Sequence, residues 1–404
     1  MTTSIRAERG RLLALRAAWL FDGAGDTLIP DPLVLIDGGT IVAAGSGIPA
    51  PDHADVTDLG GATLLPGLVD SHTHLAFDAS PDPVGRLARR SDDETLESMT
   101  QAARTAVRGG VTTLRDLGDR GYLSLGLRGK PGLPALVAAG PPLTTPGGHC
   151  HYLGGAAEPT AEGVRAAVRE HAERGVDVIK IMASGGNLTP GTRQDLAQFP
   201  PEVLRAAVDE AHRHGLEVTA HAHAASAIAD AVAAGADMLE HVSFWTADGV
   251  DAPAGLIQLI ADRRTIVGLT VGVLPTEGLT PFAAARARMP AILANFRRLH
   301  EAGALMVGSS DAGIAPVKPH DVVRYAPAIL RDVGFSPAEA LRAVTSLPAG
   351  VLGLGHRKGR IAPGFDADVL AVDGDPLADP AALHRIRAVY CCGAAVPAPG
   401  TAAA

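Results

Sequence analysis

The chain has 404 residues, 47% of them apolar, and a formal net charge of −9 at neutral pH. That length accommodates one large domain and a smaller one around a substantial core, and with aromatics at only 3% that core must be filled by Ala, Val and Leu. The acidic balance argues against a nucleic-acid partner, which needs a basic face, and no apolar run is long enough to span a membrane.

From the N-terminus, Leu12 to Phe21 has the apolar texture of a secretory h-region, but Arg16 interrupts it and no small-residue cleavage site follows. It reads as a strand. Further short apolar runs at 33–36, 40–44 and 62–65 are separated by turn signals such as Asp22-Gly23 and Asp37-Gly38-Gly39. The stretch from Gly359 to Val396 has the same texture, punctuated by Pro363-Gly364 and Asp373-Gly374-Asp375-Pro376. Two β-rich ends around a different middle predict a small β-sandwich domain assembled from residues 1–65 and 356–404.

The middle, 66–355, alternates strand-length apolar runs with Ala-rich segments of helical period. Eight strands are expected at 67–75, 111–117, 135–143, 177–183, 217–223, 237–242, 265–270 and 304–311. Helices are expected between them, among others at 94–108, 160–174, 201–214, 226–234 and 284–302. Most of these helices run into Gly just before the next strand, the place where a left-handed residue ends a helix, and Ser336-Pro337-Ala338-Glu339 is a capping box. The fold class is therefore α/β, a (β/α)8 TIM barrel with the two-ended β-domain attached. Three cysteines, Cys150, Cys391 and Cys392, make no disulfide framework, and adjacent Cys391 and Cys392 are a poor pair. A reducing, cytoplasmic compartment fits.

Chemistry in such a barrel sits where the strands end. The first strand ends in His72-Thr73-His74, and residues i and i+2 of a strand face the same side, so both imidazoles can converge on one cation. The fourth carries Lys180 inside an apolar run, the fifth ends in His221-Ala222-His223, the sixth in His241 after Glu240, and the eighth in Asp311. A random scatter of histidines would not fall on five strand ends, and the set reads as a metal centre.

These motifs resemble the amidohydrolase superfamily of metal-dependent hydrolases over nearly the whole chain. Gly110-Val111-Thr112-Thr113-Leu114-Arg115-Asp116, the run from Ile179 to Gly186, and His221-Ala222-His223 are similar to its imidazolonepropionase-like branch, which includes Xaa-Pro dipeptidases and ochratoxin-type amidases. The resemblance implies two divalent cations, zinc first with manganese or cobalt equally suited to the ligands. It implies that carbon dioxide carboxylates Lys180, which bridges them. His72, His74 and Asp311 would hold one cation, and His221 and His241 the other. A hydroxide between the cations would attack an amide, with Asp311 as proton shuttle. It assigns carbonyl polarisation to His149, after Gly147-Gly148. His223 is expected to support the site or belong to the core. His151 and Tyr152 depart from the commonest pattern and are either substrate contacts or loop residues. Cys150 has no base assigned to it, and Arg115 with Asp116 is expected to be a structural ion pair.

The implied activity is hydrolysis of an N-acyl amino acid or dipeptide-like amide, with Arg193 or Lys318 as candidate anchor for a substrate carboxylate. A cyclic or other small-molecule amide is the alternative. A mononuclear deaminase has no need of Lys180, and a non-catalytic scaffold would have lost a ligand. The partner is a small molecule, a homo-oligomer is compatible, and neither nucleic acid nor membrane is expected. The loops 187–198 and 271–281, the latter with Thr276 and Glu277, are expected at the pocket rim.

Overall fold

The computed structural model describes residues 12–275 and 283–397. Eight parallel strands form its centre: β1 (Leu68–Thr73), β2 (Val111–Asp116), β3 (Ala135–Ala138), β4 (Val178–Met182), β5 (Glu217–Ala224), β6 (Met238–Trp245), β7 (Ile266–Leu269) and β8 (Met306–Gly308). They pair as two runs, β3-β2-β1 and β4-β5-β6-β7-β8. Two parallel bridges join the runs into a ring: Thr73 with Ala312 and Leu143 with Ile181. This is a barrel of the TIM type.

The third strand stops at Ala138, well short of its expected end. Gly140 follows with φ 70°, then Pro141 and Pro142, which have no N–H to give a ladder. The backbone re-enters the ring only at Leu143, whose N–H donates to Lys180 O at 2.8 Å. The eighth strand is likewise shorter than expected, and Asp311 lies beyond its end.

Helices pack outside the ring. Asp92–Arg108 opens on a capping box of Ser91 and Glu94, and Pro337–Arg342 on the one read from Ser336 and Glu339. Ala161–Arg174 and Ala225–Ala234 stop at Gly175 and Gly235, whose φ of 77° and 87° would strain a residue bearing Cβ. Among the described residues no helix is long and apolar enough to cross a membrane.

The chain ends build two further sheets. One has four strands in the order Thr40–Ser46, Pro32–Asp37, Leu13–Arg16, Asp55–Asp58. The other has six, in the order Ala394–Ala395, Ile386–Cys391, Val369–Asp373, Ala62–Pro66, Trp19–Leu20, Ile29–Pro30. The expected strand over Leu12 to Phe21 is thus two short ones in different sheets. Strand alternation explains how the six-stranded sheet joins both units. Leu64 and Ala371 face Leu15, Val34, Ile36 and Ile41 in the smaller core, while their neighbours Leu65, Leu370 and Val372 belong to the large core around the barrel. Most of the expected rim segment 271–281, with Thr276 and Glu277, lies outside the described residues.

Candidate active site

Five buried charged side chains stand on the apolar strands: Asp70 on β1, Arg115 and Asp116 on β2, Lys180 on β4 and Glu240 on β6. Each would be costly to bury alone. Glu240 is the hub. Its Oε1 accepts from Arg115 at 3.0 Å and from Thr219 Oγ1 at 2.7 Å, and its Oε2 accepts from His72 Nδ1 at 2.9 Å. Burial alone would raise its pKa, but His72, Arg115 and Lys180 draw it down to about 2. Gly268 on β7 makes room, since a Cβ there would stand 2.2 Å from Glu240 Oε2. The expected Arg115–Asp116 ion pair does not form. Consecutive strand residues face opposite sides, so Arg115 turns inward to Glu240 while Asp116 accepts from the backbone N–H groups of Leu75 and Gly118.

The histidine tautomers follow from these partners. A carboxylate or carbonyl oxygen can only accept, so the nitrogen facing it carries the proton. His72 Nδ1 donates to Glu240, His74 Nδ1 to Gly118 O at 3.3 Å, and His221 Nε2 to Gly185 O at 3.1 Å. In a neutral ring that would leave the lone pair on His72 Nε2, His74 Nε2 and His221 Nδ1. The first two lie 3.3 Å apart, and Asp311 Oδ1 stands 3.4 and 3.2 Å from them. Burial pushes His72 down to about 4 and His221 well below the ordinary histidine value, so both rings are neutral at pH 7. Asp311 is held well below the usual carboxylate range. Burial opposes that shift, and His72, His74 and Lys318 impose it.

A second group lies beside the first. The ligating atoms of His221, His223 and His241 fall within 4.8 Å of one another. His223 stacks on His241 with ring centroids 4.4 Å apart, and its Nδ1 is 2.7 Å from Ser243 Oγ. His241 Nδ1 is 3.0 Å from Thr270 Oγ1. His241 and Asp311 adopt φ of 71° and 58°, left-handed values rarely taken by residues with a Cβ. The β5–β6 register also shifts between Ala222 and Ala224. The break comes after Glu240, which keeps the regular register with His221. Backbone strain of this kind gathers where side chains are aimed for chemistry.

Lys180 Nζ is buried beside these groups and has no hydrogen-bond partner among the described residues. Burial lowers its pKa to about 8, against the pull of Glu240 and Asp311. His149 lies with its ring 4.8 Å from that of His221. Its Nδ1 is 3.2 Å from Thr189 Oγ1, which already accepts from the Cys150 N–H at 2.8 Å and is free to donate its own proton to the ring. The ring proton then sits on Nε2, toward Gly186, where a Cβ would come within 2.3 Å of that nitrogen. Burial lowers His149 to about 4, so it too is neutral.

Other expected residues lie apart. His151 is exposed and its Nδ1 bonds to Gly148 O, while Tyr152 lies half-buried with its hydroxyl on Cys150 Sγ. Arg193 is exposed and paired with Asp195. Lys318 is enclosed, its ammonium donating to the carbonyls of Thr270, Gly272 and Ser310. Neither cation is free for a substrate carboxylate. Sequence reasoning passed over Glu240 and Asp70, the latter accepting from Ser310 Oγ at 2.5 Å. The available signal was charge in the middle of apolar strands.

The donor set fits divalent metal. The rings of His72 and His221 are neutral, the outer nitrogens of His72, His74 and His221 face acceptors, and a carboxylate oxygen shares the focus of His72 Nε2 and His74 Nε2. Comparison with known proteins agrees. The model of the amidohydrolase family matches residues 63–396. Ochratoxinase of Aspergillus niger is 32% identical over 237 residues, 56% of this chain and 47% of that protein, so the match spans about half its length. Imidazolonepropionase of Deinococcus deserti is 28% identical over 411 residues, covering 92% of this chain and 93% of that one. Among solved structures, a Xaa-Pro dipeptidase with methionine bound in its active site superposes with a TM-score of 0.82 at 26% identity, covering 95% of this chain and 99% of the other.

Proposed function

The chain belongs to the amidohydrolase family, hydrolases of amide and other carbon–nitrogen bonds, and from that premise we propose that it cleaves a linear amide, an N-acyl amino acid or dipeptide-like substrate, at a binuclear metal centre. The observation that carries this reading is the convergence of two imidazole nitrogens and a carboxylate oxygen within 3.4 Å of one another. With no proton between them such groups repel; around a cation they attract.

In this reading His72, His74 and Asp311 hold one divalent cation, and His221 and His241 the other, with zinc, manganese or cobalt as candidates. Lys180, as a carbamate, would supply a further anionic ligand. Only a neutral amine attacks carbon dioxide, and a pKa near 8 leaves roughly a tenth of Lys180 neutral at pH 7. When bound, the cations would supply Lewis acidity and lower the pKa of a bound water toward neutrality. Asp311 takes the proton of the attacking water and returns it to the leaving amine. His149 donates its Nε2 proton to the carbonyl oxygen as negative charge grows there. His223 braces His241 by stacking. We read residues 66–355 as the catalytic unit and the two chain ends as a second unit buttressing it.

The test is a screen of protein reconstituted with zinc, manganese or cobalt and bicarbonate. N-acyl amino acids, dipeptides and lactams are offered, and amine release is read. Turnover of linear amides is expected. Cleavage of lactams alone would move the substrate class to cyclic amides, and silence of a chain carrying two metals toward every amide would overturn the proposal.

A further inference from the structure

At the far end of the barrel a cavity of about 540 Å³ is lined by residues from the beginnings of β3, β4 and β5, by Arg357 and Lys358, and by Cys391 and Cys392. The two cysteines stand where strand Ile386–Cys391 turns into Ala394–Ala395, with Cys391 paired to Ala394. The tip, Cys392-Gly393, has φ of 48° and 78°. Left-handed angles at both tip residues belong to the turn in which Asn-Gly is the usual choice. Gly393 answers a steric need, since a Cβ there would lie 2.3 Å from Gly38 O. Cys392 is the anomaly: a side chain with Cβ holds a position that Asn, Asp or Gly would fill with less strain.

The turn has a consequence for the sulfurs. In a regular strand neighbouring side chains point to opposite faces. Here both sulfurs and a carboxylate oxygen of Asp368 lie within 4.8 Å of one another. Asp368 is fixed beside them: its Oδ1 accepts from the Cys392 N–H at 2.8 Å and its Oδ2 from Lys358 Nζ at 2.6 Å. Lys358 also reaches Asp366 at 2.9 Å, and Arg357 reaches Asp366 at 2.7 Å. Two cations and two carboxylates thus cancel before either sulfur ionises. Two thiolates would bring the charge that one dication neutralises.

We propose that Cys391, Cys392 and Asp368 form a binding site for a soft, thiophilic dication, separate from the histidine centre. Thiolate sulfur selects soft and borderline cations, and the adjoining cavity leaves room for a further ligand.

Cadmium titration of the full chain tests this, read by the ultraviolet charge-transfer absorption of thiolate–cadmium bonds, to which the histidine centre does not contribute. One equivalent per chain is expected to develop the band. Cys391→Ser should weaken binding at least tenfold, and Cys150→Ser should leave it unchanged. Cys392→Asn gives the turn its preferred residue, so it should melt no lower than the wild type while losing the band. No band in the wild type, or a band that survives Cys391→Ser or Cys392→Asn, would overturn the proposal.

Discussion

Two lysines of this chain are almost equally buried and behave in opposite ways. Lys180, in the barrel, is 1% exposed and has no hydrogen-bond partner among the described residues; Lys358, beneath it, is 3% exposed and touches two carboxylates at 2.6 and 2.9 Å. Burial lowers the first to about 8. Burial would also lower the second, but Asp368 and Asp366 outweigh it and raise its pKa above the ordinary lysine value. Burial alone therefore does not tell a structural cation from a reactive amine; the partners do. A satisfied ion pair is part of the framework, whereas an orphaned one marks a place where something else must bind.

The sharpest way to break the comparison is to remove each lysine. Lys180→Ala is expected to lose bound metal and turnover together. With several kcal/mol of transition-state stabilisation at stake, the fall should be about a thousandfold or more. Short carboxylic acids should restore part of both, and metal analysis alongside kinetics checks it. A fully active variant would end the carbamate reading. Asp311→Asn keeps a ligand oxygen but cannot carry a proton, so kcat should fall by roughly 100- to 10,000-fold with the fold intact by circular dichroism. A loss below about tenfold would place the proton shuttle elsewhere. His149→Ala should lower kcat by about 100- to 1,000-fold, with metal content unchanged and KM little altered. Exposed His151, changed to Ala, should have a milder effect, confined to KM; the reverse ranking would put His151 at the reacting carbonyl.

The smallest effects fall on stability, and there the two lysines should differ in sign. Lys358→Met leaves two carboxylates without their shared cation and should cost about 3–5 kcal/mol, lowering Tm without changing kcat. Lys180→Met should raise the Tm of the metal-free chain. The signs follow from proton counts. Between pH 8 and 10.5 the unfolded chain binds more protons at Lys180 than the folded chain does, so stability there rises with pH. The burden of Lys180 is full below pH 8 and fades toward pH 10.5, and the advantage of Lys180→Met should fade with it. Lys358 stabilises fully below pH 10.5 and loses that effect as pH climbs through its raised folded value. Thermal melts of both variants across this range, with metal removed, would expose equal slopes if the partners did not matter.

Much of the barrel was legible because hydrophobic period and turn chemistry are local. The runs that became β2, β4 and β5 begin and end within a residue or so of their expected bounds. The third strand was overestimated because apolar character continues through Ala138 to Leu143 although the prolines prevent pairing. His72, His74, His221, His241 and Asp311 were visible as polar residues where apolar runs stop. Glu240 was read only as the neighbour of His241. Its direction follows from regular alternation, but the direction of His241 beside it depends on the left-handed turn at His241 and the register shift that follows, both set by tertiary packing. Arg193 and Lys318 were equally opaque. That one meets Asp195 and the other three backbone carbonyls is decided by how loops fold over strand ends, which no spacing encodes. Adjacent Cys391 and Cys392 form a poor disulfide pair by sequence, and their shared side follows from the hairpin turn.

The link from Arg115 through Glu240 to His72 runs inside the barrel, and Lys318 ties the ends of β7 and β8 on either side of Asp311. His72 is thus aimed from beneath, by a strand residue, whereas His149 is held from the loop above, by Thr189. Mutation and selection can accordingly rewrite exposed rim positions such as Arg193 without re-aiming His72, while a change at Thr189 reaches His149 directly. Substrate range in this chain is free to drift while the hydrolytic step is inherited intact.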